Sequence, residues 1–98
     1  MATPLTLVPD LRPDGVALLT AVGEIDMSNT DVLAAALERT TGAVVLDLTS
    51  VGYLDSAGLS VLFAHVDRIE LIAPPLLLPV LNISGFTDLA PVHASPGV

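Results

Sequence analysis

The apolar positions near the start of the chain alternate with polar ones and are interrupted by turn-forming residues. Residues 5–7 and 16–22 predict two strands. The turn-forming pair Asp14-Gly15 lies between them, so we expect the two strands to be antiparallel. Residues 23–26 should then carry the second strand out into a loop.

Two later segments have the apolar spacing of helices. The first should begin near Ser28, whose hydroxyl can cap a helix, and should stop at Gly42. The second is predicted from about Ala57 to Val66. The apolar positions that carry these predictions are Leu33, Ala36 and Leu37 in the first helix and Leu59, Leu62, Phe63 and Val66 in the second.

The remaining apolar runs predict three more strands and a third helix. Residues 43–48 form a short, nearly continuous run that is typical of a strand buried on both faces. Residues 69–72 and 89–92 predict short strands, and residues 75–84 predict a helix in which Pro79 removes a hydrogen bond. The order β-β-α-β-α-β-α-β predicts one α/β domain over residues 1–98, a mixed sheet of about five strands with about three helices.

Composition and charge narrow the function classes. The formal net charge is −8 with no lysine, which disfavours nucleic acid and anionic membranes as partners and favours a basic protein surface. The amino terminus lacks the pattern of a signal peptide, and prolines interrupt the most apolar stretch, residues 69–81. We therefore expect a cytoplasmic protein, and the Ala/Leu/Val/Pro bias suggests a bacterial one. There is no cysteine and no glycine-rich phosphate loop, and we expect neither a metal nor a cofactor.

The segment from residue 47 to residue 59 carries the candidate chemistry. It runs from the buried strand through a short turn into the second helix, which places the Ser56 hydroxyl at the edge of the sheet. The small residues Ala57 and Gly58 would let another molecule approach Ser56 closely. From spacing alone, Ser56 and Asp55 are also ordinary helix caps, and Asp26 is an ordinary solvated loop residue. Asp47 should be structural, because a carboxylate in a buried strand needs a hydrogen-bonding partner.

Residues 46–48, Val51 and residues 54–59 together resemble the signature of STAS domains, specifically of bacterial anti-sigma-factor antagonists. Weaker matches to the family's other motifs follow the family's order, at residues 23–26, 69–72 and 83–86. The sequence departs from the family's pattern in two places. The stretch after the second helix is several residues short, and the chain stops near Ser95, where the family usually has one more helix.

The resemblance implies a regulatory protein that binds an anti-sigma factor with a kinase-like ATP-binding fold. It implies that this partner phosphorylates Ser56 and that phosphorylation weakens the complex. The resemblance also implies that a phosphatase restores the complex and that the unmodified form frees the sigma factor. The expected partner-binding residues are Asp26, Asp55, Ser56, Ala57 and Gly58.

Two other functions are open at this point. The chain could be a STAS-like adaptor that binds a transporter subunit or a small ligand, or an enzyme with Ser56 as nucleophile. His65 does not support the enzyme, because nine residues along a helix separate it from Ser56 by roughly 13 Å and about half a turn. The first glycine of a nucleophile elbow is also absent, and His93 is an ordinary surface residue by its position near the end. We therefore expect no enzymatic activity.

Overall fold

Five strands form one mixed sheet in the computed structural model, which describes residues 3–95. The strands are β1 (Leu5–Leu11), β2 (Ala17–Ile25), β3 (Val44–Leu54), β4 (Ile69–Ala73) and β5 (Val92–Ala94). They lie side by side in chain order; β1 is antiparallel to β2, and the other neighbours are parallel. The predicted α/β fold class and the antiparallel opening pair are confirmed.

Three α-helices in residues 3–95 connect the parallel strands. They are α1 (Thr30–Glu38), α2 (Ser56–Ala64) and α3 (Leu78–Ile83), and a short 3-10 helix (Phe86–Asp88) follows α3. None of the helices in this part of the chain is long and apolar enough to cross a bilayer.

The middle strand, β3, lies at the centre of the core. Val44, Val45 and Leu46 are all buried, and consecutive strand residues point to opposite faces of the sheet, so both faces are covered here. This confirms the interpretation of the apolar run. The two phenylalanines, Phe63 and Phe86, pack edge to face with ring centroids 5.2 Å apart.

The register between β1 and β2 is fixed at both ends by backbone hydrogen bonds. At the turn, the Arg12 N–H donates to the Val16 carbonyl at 2.9 Å. At the other end, the Glu24 N–H donates to the Pro4 carbonyl at 3.2 Å. Hydrogen-bonded pairs alternate with non-bonded pairs in an antiparallel ladder, so the even-numbered residues of β1 exchange hydrogen bonds with β2.

The odd-numbered residues of β1 therefore direct their backbone groups to the outer edge of the sheet. Two of them offer no free N–H there. Pro9 has none, and the Leu11 N–H donates to the Asp10 carboxylate at 2.8 Å. Within residues 3–95, this leaves Leu5 and Leu7 as the strand's outward donors.

The start of α1 differs from the prediction. The N-cap residue is Asn29, with the helix beginning at Thr30, because the Ser28 hydroxyl instead donates to the Asp26 carboxylate at 2.6 Å. The end also differs: the helix stops at Glu38, and Gly42, with φ +73°, lies in the loop beyond.

The carbonyl end of α1 is satisfied by a residue distant in sequence. The Arg68 guanidinium donates to the Gly42 carbonyl at 2.9 Å, to the Thr40 hydroxyl at 3.0 Å, and to the Leu37 carbonyl. A cation at this end also suits the helix dipole. Arg68 thus joins the α2–β4 turn to the end of α1.

The third helix is shorter than predicted, and the last strand lies later. Residues 75–77 form a turn, and α3 begins at Leu78, which puts Pro79 in the first turn, where a missing N–H costs no helical hydrogen bond. Gly85, with φ +85°, follows the helix, as expected of a stop residue. Leu89 belongs to the turn after the 3-10 helix, so the predicted strand at 89–92 is wrong in its bounds.

Candidate functional site

The candidate site lies where β2 and β3 end side by side. The two strands are parallel, and their last residues, Ile25 and Leu54, are paired. Asp26 and Asp55 directly follow these residues, and the Asp55 N–H donates to the Ile25 carbonyl at 3.2 Å. The structure therefore brings the Asp26 and Asp55 segments to the same edge of the sheet.

Ser56 is the first residue of α2 and is exposed. Within residues 3–95 its hydroxyl makes no hydrogen bond to another group, so it is accessible from solvent. The cap of the helix is the preceding residue: the Asp55 Oδ1 accepts from the Gly58 N–H at 3.0 Å. Of the two caps that the sequence left open, the structure selects Asp55. One turn later, the Ser60 hydroxyl donates to the Ser56 carbonyl at 3.0 Å.

The second oxygen of Asp55 reaches the neighbouring loop. Oδ2 accepts from the Met27 N–H at 3.1 Å, while Oδ1 caps α2. One carboxylate thus ties the β2–α1 loop to the start of α2. The sequence did not predict this bridge, because the two residues that it joins lie 28 positions apart.

The Asp26 carboxylate is held within its own loop. Oδ1 accepts from the Ser28 N–H at 2.8 Å and from the Ser28 hydroxyl, and Oδ2 accepts from the Thr3 hydroxyl. The side-chain hydrogen bond from Ser28, then that from Thr3, then the Ser28 backbone, together hold the pKa of Asp26 below its usual range. Asp26 is therefore a carboxylate at neutral pH.

Asn29 is a structural residue of the site that the sequence analysis did not single out. It is 2% exposed, and its Nδ2 donates to the Thr3 and Glu24 carbonyls at 2.8 Å each. Its Oδ1 accepts from the Asp26 N–H at 3.0 Å. No periodicity marks a buried amide of this kind, because its partners come from two separate segments.

Gly58 has a different role from the predicted one. It is buried, and a Cβ at this position would lie 2.5 Å from Ile25 Cγ2 and 2.8 Å from Leu54 Cδ1. Its lack of a side chain lets α2 pack against the ends of β2 and β3, a packing role that the sequence analysis did not predict. Ala57 is half-buried beside the exposed Ser56 and remains a predicted contact.

The other residues considered from the sequence lie away from Ser56. His65 caps the opposite end of α2, and His93 contacts the Glu70 carboxylate at 2.8 Å. Asp47 is half-buried and accepts from the Thr49 N–H and hydroxyl at 2.9 and 2.7 Å, as a structural carboxylate should. In the described residues, no three His, Cys, Asp or Glu side chains are grouped to hold a metal ion.

Comparison with curated proteins gives relatives of one kind. The chain is 41% identical over 64 residues to the anti-sigma-F factor antagonist RsfB of Mycobacterium tuberculosis, in two strains. The alignment covers 57% of this chain and 49% of RsfB. The chain thus spans about half the length of the curated relatives that it matches.

Solved structures give the same fold. An anti-sigma factor antagonist from Mycobacterium paratuberculosis superposes with a TM-score of 0.81 at 25% identity, covering 98% of this chain and 92% of that one. The anti-sigma factor antagonist SpoIIAA in its unphosphorylated form superposes with a TM-score of 0.69 at 12% identity, covering 92% and 88% of the two chains. The sequence profile of the STAS domain matches residues 10–94, which is most of the chain. The chain therefore belongs to the STAS domain family, and the relatives that it resembles are anti-sigma-factor antagonists.

Proposed function

We propose that this chain is an anti-sigma-factor antagonist that binds a kinase-type anti-sigma factor through the surface around Ser56. The partner, which has an ATP-binding fold, phosphorylates Ser56, and the phosphate weakens the complex. A phosphatase restores the unmodified chain, which again occupies the anti-sigma factor and frees the sigma factor. The chain itself carries no catalytic activity in this scheme.

The observation that carries this proposal is the state of the Ser56 hydroxyl. It is exposed at the first position of α2, and the N-cap position before it is occupied by Asp55, so the Ser56 hydroxyl does not cap the helix. The backbone beneath it is fixed, because Asp55 ties α2 to the β2–α1 loop. An exposed hydroxyl that is not engaged by the fold is accessible to a kinase.

The distribution of charge supports a basic partner. The chain's three cationic residues, Arg12, Arg39 and Arg68, all lie in connections that precede parallel strands, at the edge opposite Ser56. Asp26 and Asp55 lie at the Ser56 edge. A partner surface rich in Arg and Lys would be attracted to the Ser56 edge, where none of the three arginines opposes it.

Phosphate transfer tests the proposal directly. The wild-type chain is incubated with purified kinase-type anti-sigma factors and ATP, and any phosphate is located by mass spectrometry. We expect a single phosphate on Ser56 and none on the Ser56→Ala variant. Ser60→Ala is the matched control, since Ser60 is also exposed on α2 but its hydroxyl is hydrogen bonded.

Other outcomes of this experiment, and of two separate assays, would contradict the proposal. Phosphate elsewhere than Ser56, or on neither serine with every anti-sigma factor tried, would exclude the kinase switch. Co-purification with a transporter subunit would support the adaptor function instead. Hydrolysis of ester substrates that is lost in Ser56→Ala would identify an enzyme.

A further inference from the structure

Met27 is a large apolar side chain in the β2–α1 loop that packing does not explain. Its side chain is 79% exposed, whereas Ile25, the last residue of β2 and two positions earlier, is completely buried. Scattered exposed apolar residues are normal on protein surfaces, so exposure alone decides nothing. Met27 differs from the other exposed apolar residues in its hydrogen-bonded backbone and in the acidic residues around it.

The backbone that carries Met27 is held at every step. The Asp26 N–H donates to the Asn29 side chain at 3.0 Å, and the Met27 N–H donates to Asp55 at 3.1 Å. The Ser28 N–H donates to the Asp26 carboxylate at 2.8 Å, and the Asn29 N–H donates to the Asp26 carbonyl at 3.2 Å. Four successive N–H groups are thus bonded, and a partner that binds here does not have to order the loop.

The position of Met27 is coupled to that of Ser56. The same Asp55 carboxylate accepts from the Met27 N–H and caps the helix that begins at Ser56. The surroundings are acidic, with Asp26 beside Met27 in sequence and Asp31 exposed in the first turn of α1. An apolar side chain with an anionic surround is complementary to an apolar pocket rimmed by cations.

We propose that Met27 is the apolar anchor for the protein partner that docks over Ser56, inserting into a pocket bordered by Arg or Lys side chains. The inference rests on the proposed function and adds a binding residue to it. An unbranched thioether adapts to an irregular pocket. In protein interfaces a few buried side chains carry most of the binding energy, and the contacts around them change the affinity little.

The test is the affinity of a kinase-type anti-sigma factor, without ATP, for four proteins: wild type, Met27→Ala, Met27→Leu and Ile83→Ala. Ile83 is the control because it is 88% exposed at the end of α3. We expect Met27→Ala to weaken binding about tenfold or more, Met27→Leu to stay within about threefold, and Ile83→Ala to match wild type. The melting temperatures of all four should agree, since both sites are exposed.

The outcomes separate the two proposals. If wild type binds and Met27→Ala binds equally well, Met27 is not an anchor, while the proposed function stands. If Ile83→Ala weakens binding as much as Met27→Ala, the effect is not specific to this loop, and the anchor is again excluded. If wild type binds no anti-sigma factor of this class, both proposals fail together.

Discussion

Phosphorylation of Ser56 should change binding far more than stability. The phosphate adds about −1.5 to −2 charges at neutral pH. At the first position of α2 it meets the positive end of the helix dipole, which stabilises an anion there by roughly 0.3 to 1 kcal/mol. Against this acts the Asp55 carboxylate, one residue away. Two unit charges on the order of 6 Å apart in water repel by about 0.7 kcal/mol, so a dianion is repelled by about 1.4 kcal/mol.

These opposing terms leave a net change of about 1 kcal/mol or less in the free energy of unfolding. For a domain of this size, 1 kcal/mol corresponds to a shift in melting temperature of roughly 4–8 °C. At the interface a dianion must lose its water to enter a surface that fits a small hydroxyl, and we expect this cost and the bulk of the phosphate to exceed the attraction of the partner's basic residues. A cost of about 2–3 kcal/mol there weakens binding roughly 30- to 150-fold.

The assay pairs two measurements on wild type, Ser56→Ala and the phosphorylated protein: the melting temperature and the affinity for the anti-sigma factor. Ser56→Ala should melt and bind like wild type, because the hydroxyl that it removes has no partner in the described residues. The phosphorylated form should melt within a few degrees of wild type and bind much more weakly. A melting temperature lowered by more than about 10 °C, or an unchanged affinity, would refute the reasoning.

Four further outcomes are expected. Gly58→Ala should lower the free energy of unfolding by about 1–3 kcal/mol in urea titration, since its Cβ has no room; an unchanged midpoint would show that α2 shifts freely. Asn29→Ala should cost about 1–3 kcal/mol in the same assay, because the buried amide makes hydrogen bonds to three part-buried backbone groups, whereas the exposed control Asn82→Ala should stay within about 0.5 kcal/mol. Because its pKa is lowered in the folded state, the Asp26 carboxylate contributes its full stabilisation above the unfolded-state pKa, and this contribution is lost as the pH falls through the folded-state pKa. Asp26→Asn should therefore lose less stability than wild type as the pH falls below about 4. Equal dependence of the free energy of unfolding on pH in the two proteins would exclude this contribution from Asp26. If Asp26 and Asp55 meet basic residues on the partner, the association rate measured in stopped flow should fall as salt rises towards physiological strength, and a constant rate would contradict this.

The parts of the fold that the sequence predicted are those in which a local pattern decides the structure. The apolar run at 43–48 is β3 because a strand covered on both faces needs apolar residues at successive positions. The position of Ser56 at the start of a helix was also predicted from the local pattern, but the turn expected before it is wrong, because β3 continues to Leu54 and only Asp55 separates it from α2. The start of α3 was missed because Pro79 is harmful inside a helix but acceptable in its first turn, and the pattern does not say which applies.

The contacts that the sequence did not predict are those between polar groups distant in the chain. Asn29 and Arg68 each satisfy backbone carbonyls from segments 26 or more positions away. Such residues carry no periodicity, since their role is defined by where two loops meet after folding. For Gly58, the sequence showed that the residue is small, but it did not show that Ile25 and Leu54 are the side chains that take up the space.

The outer edge of β1 has a consequence for the behaviour of this chain at high concentration. A sheet polymerises when the edge strand of one copy offers alternating donors and acceptors to another copy. Val8 and Leu11 are exposed in the second half of β1. In that half, Pro9 has no N–H, and the Leu11 N–H already donates to the Asp10 carboxylate. An incoming strand would find carbonyls there with no donors between them. Pro9 and Asp10 thus disfavour the addition of a further strand at this edge of the sheet, which lowers the tendency of a chain that is 52% apolar to grow into fibres from it.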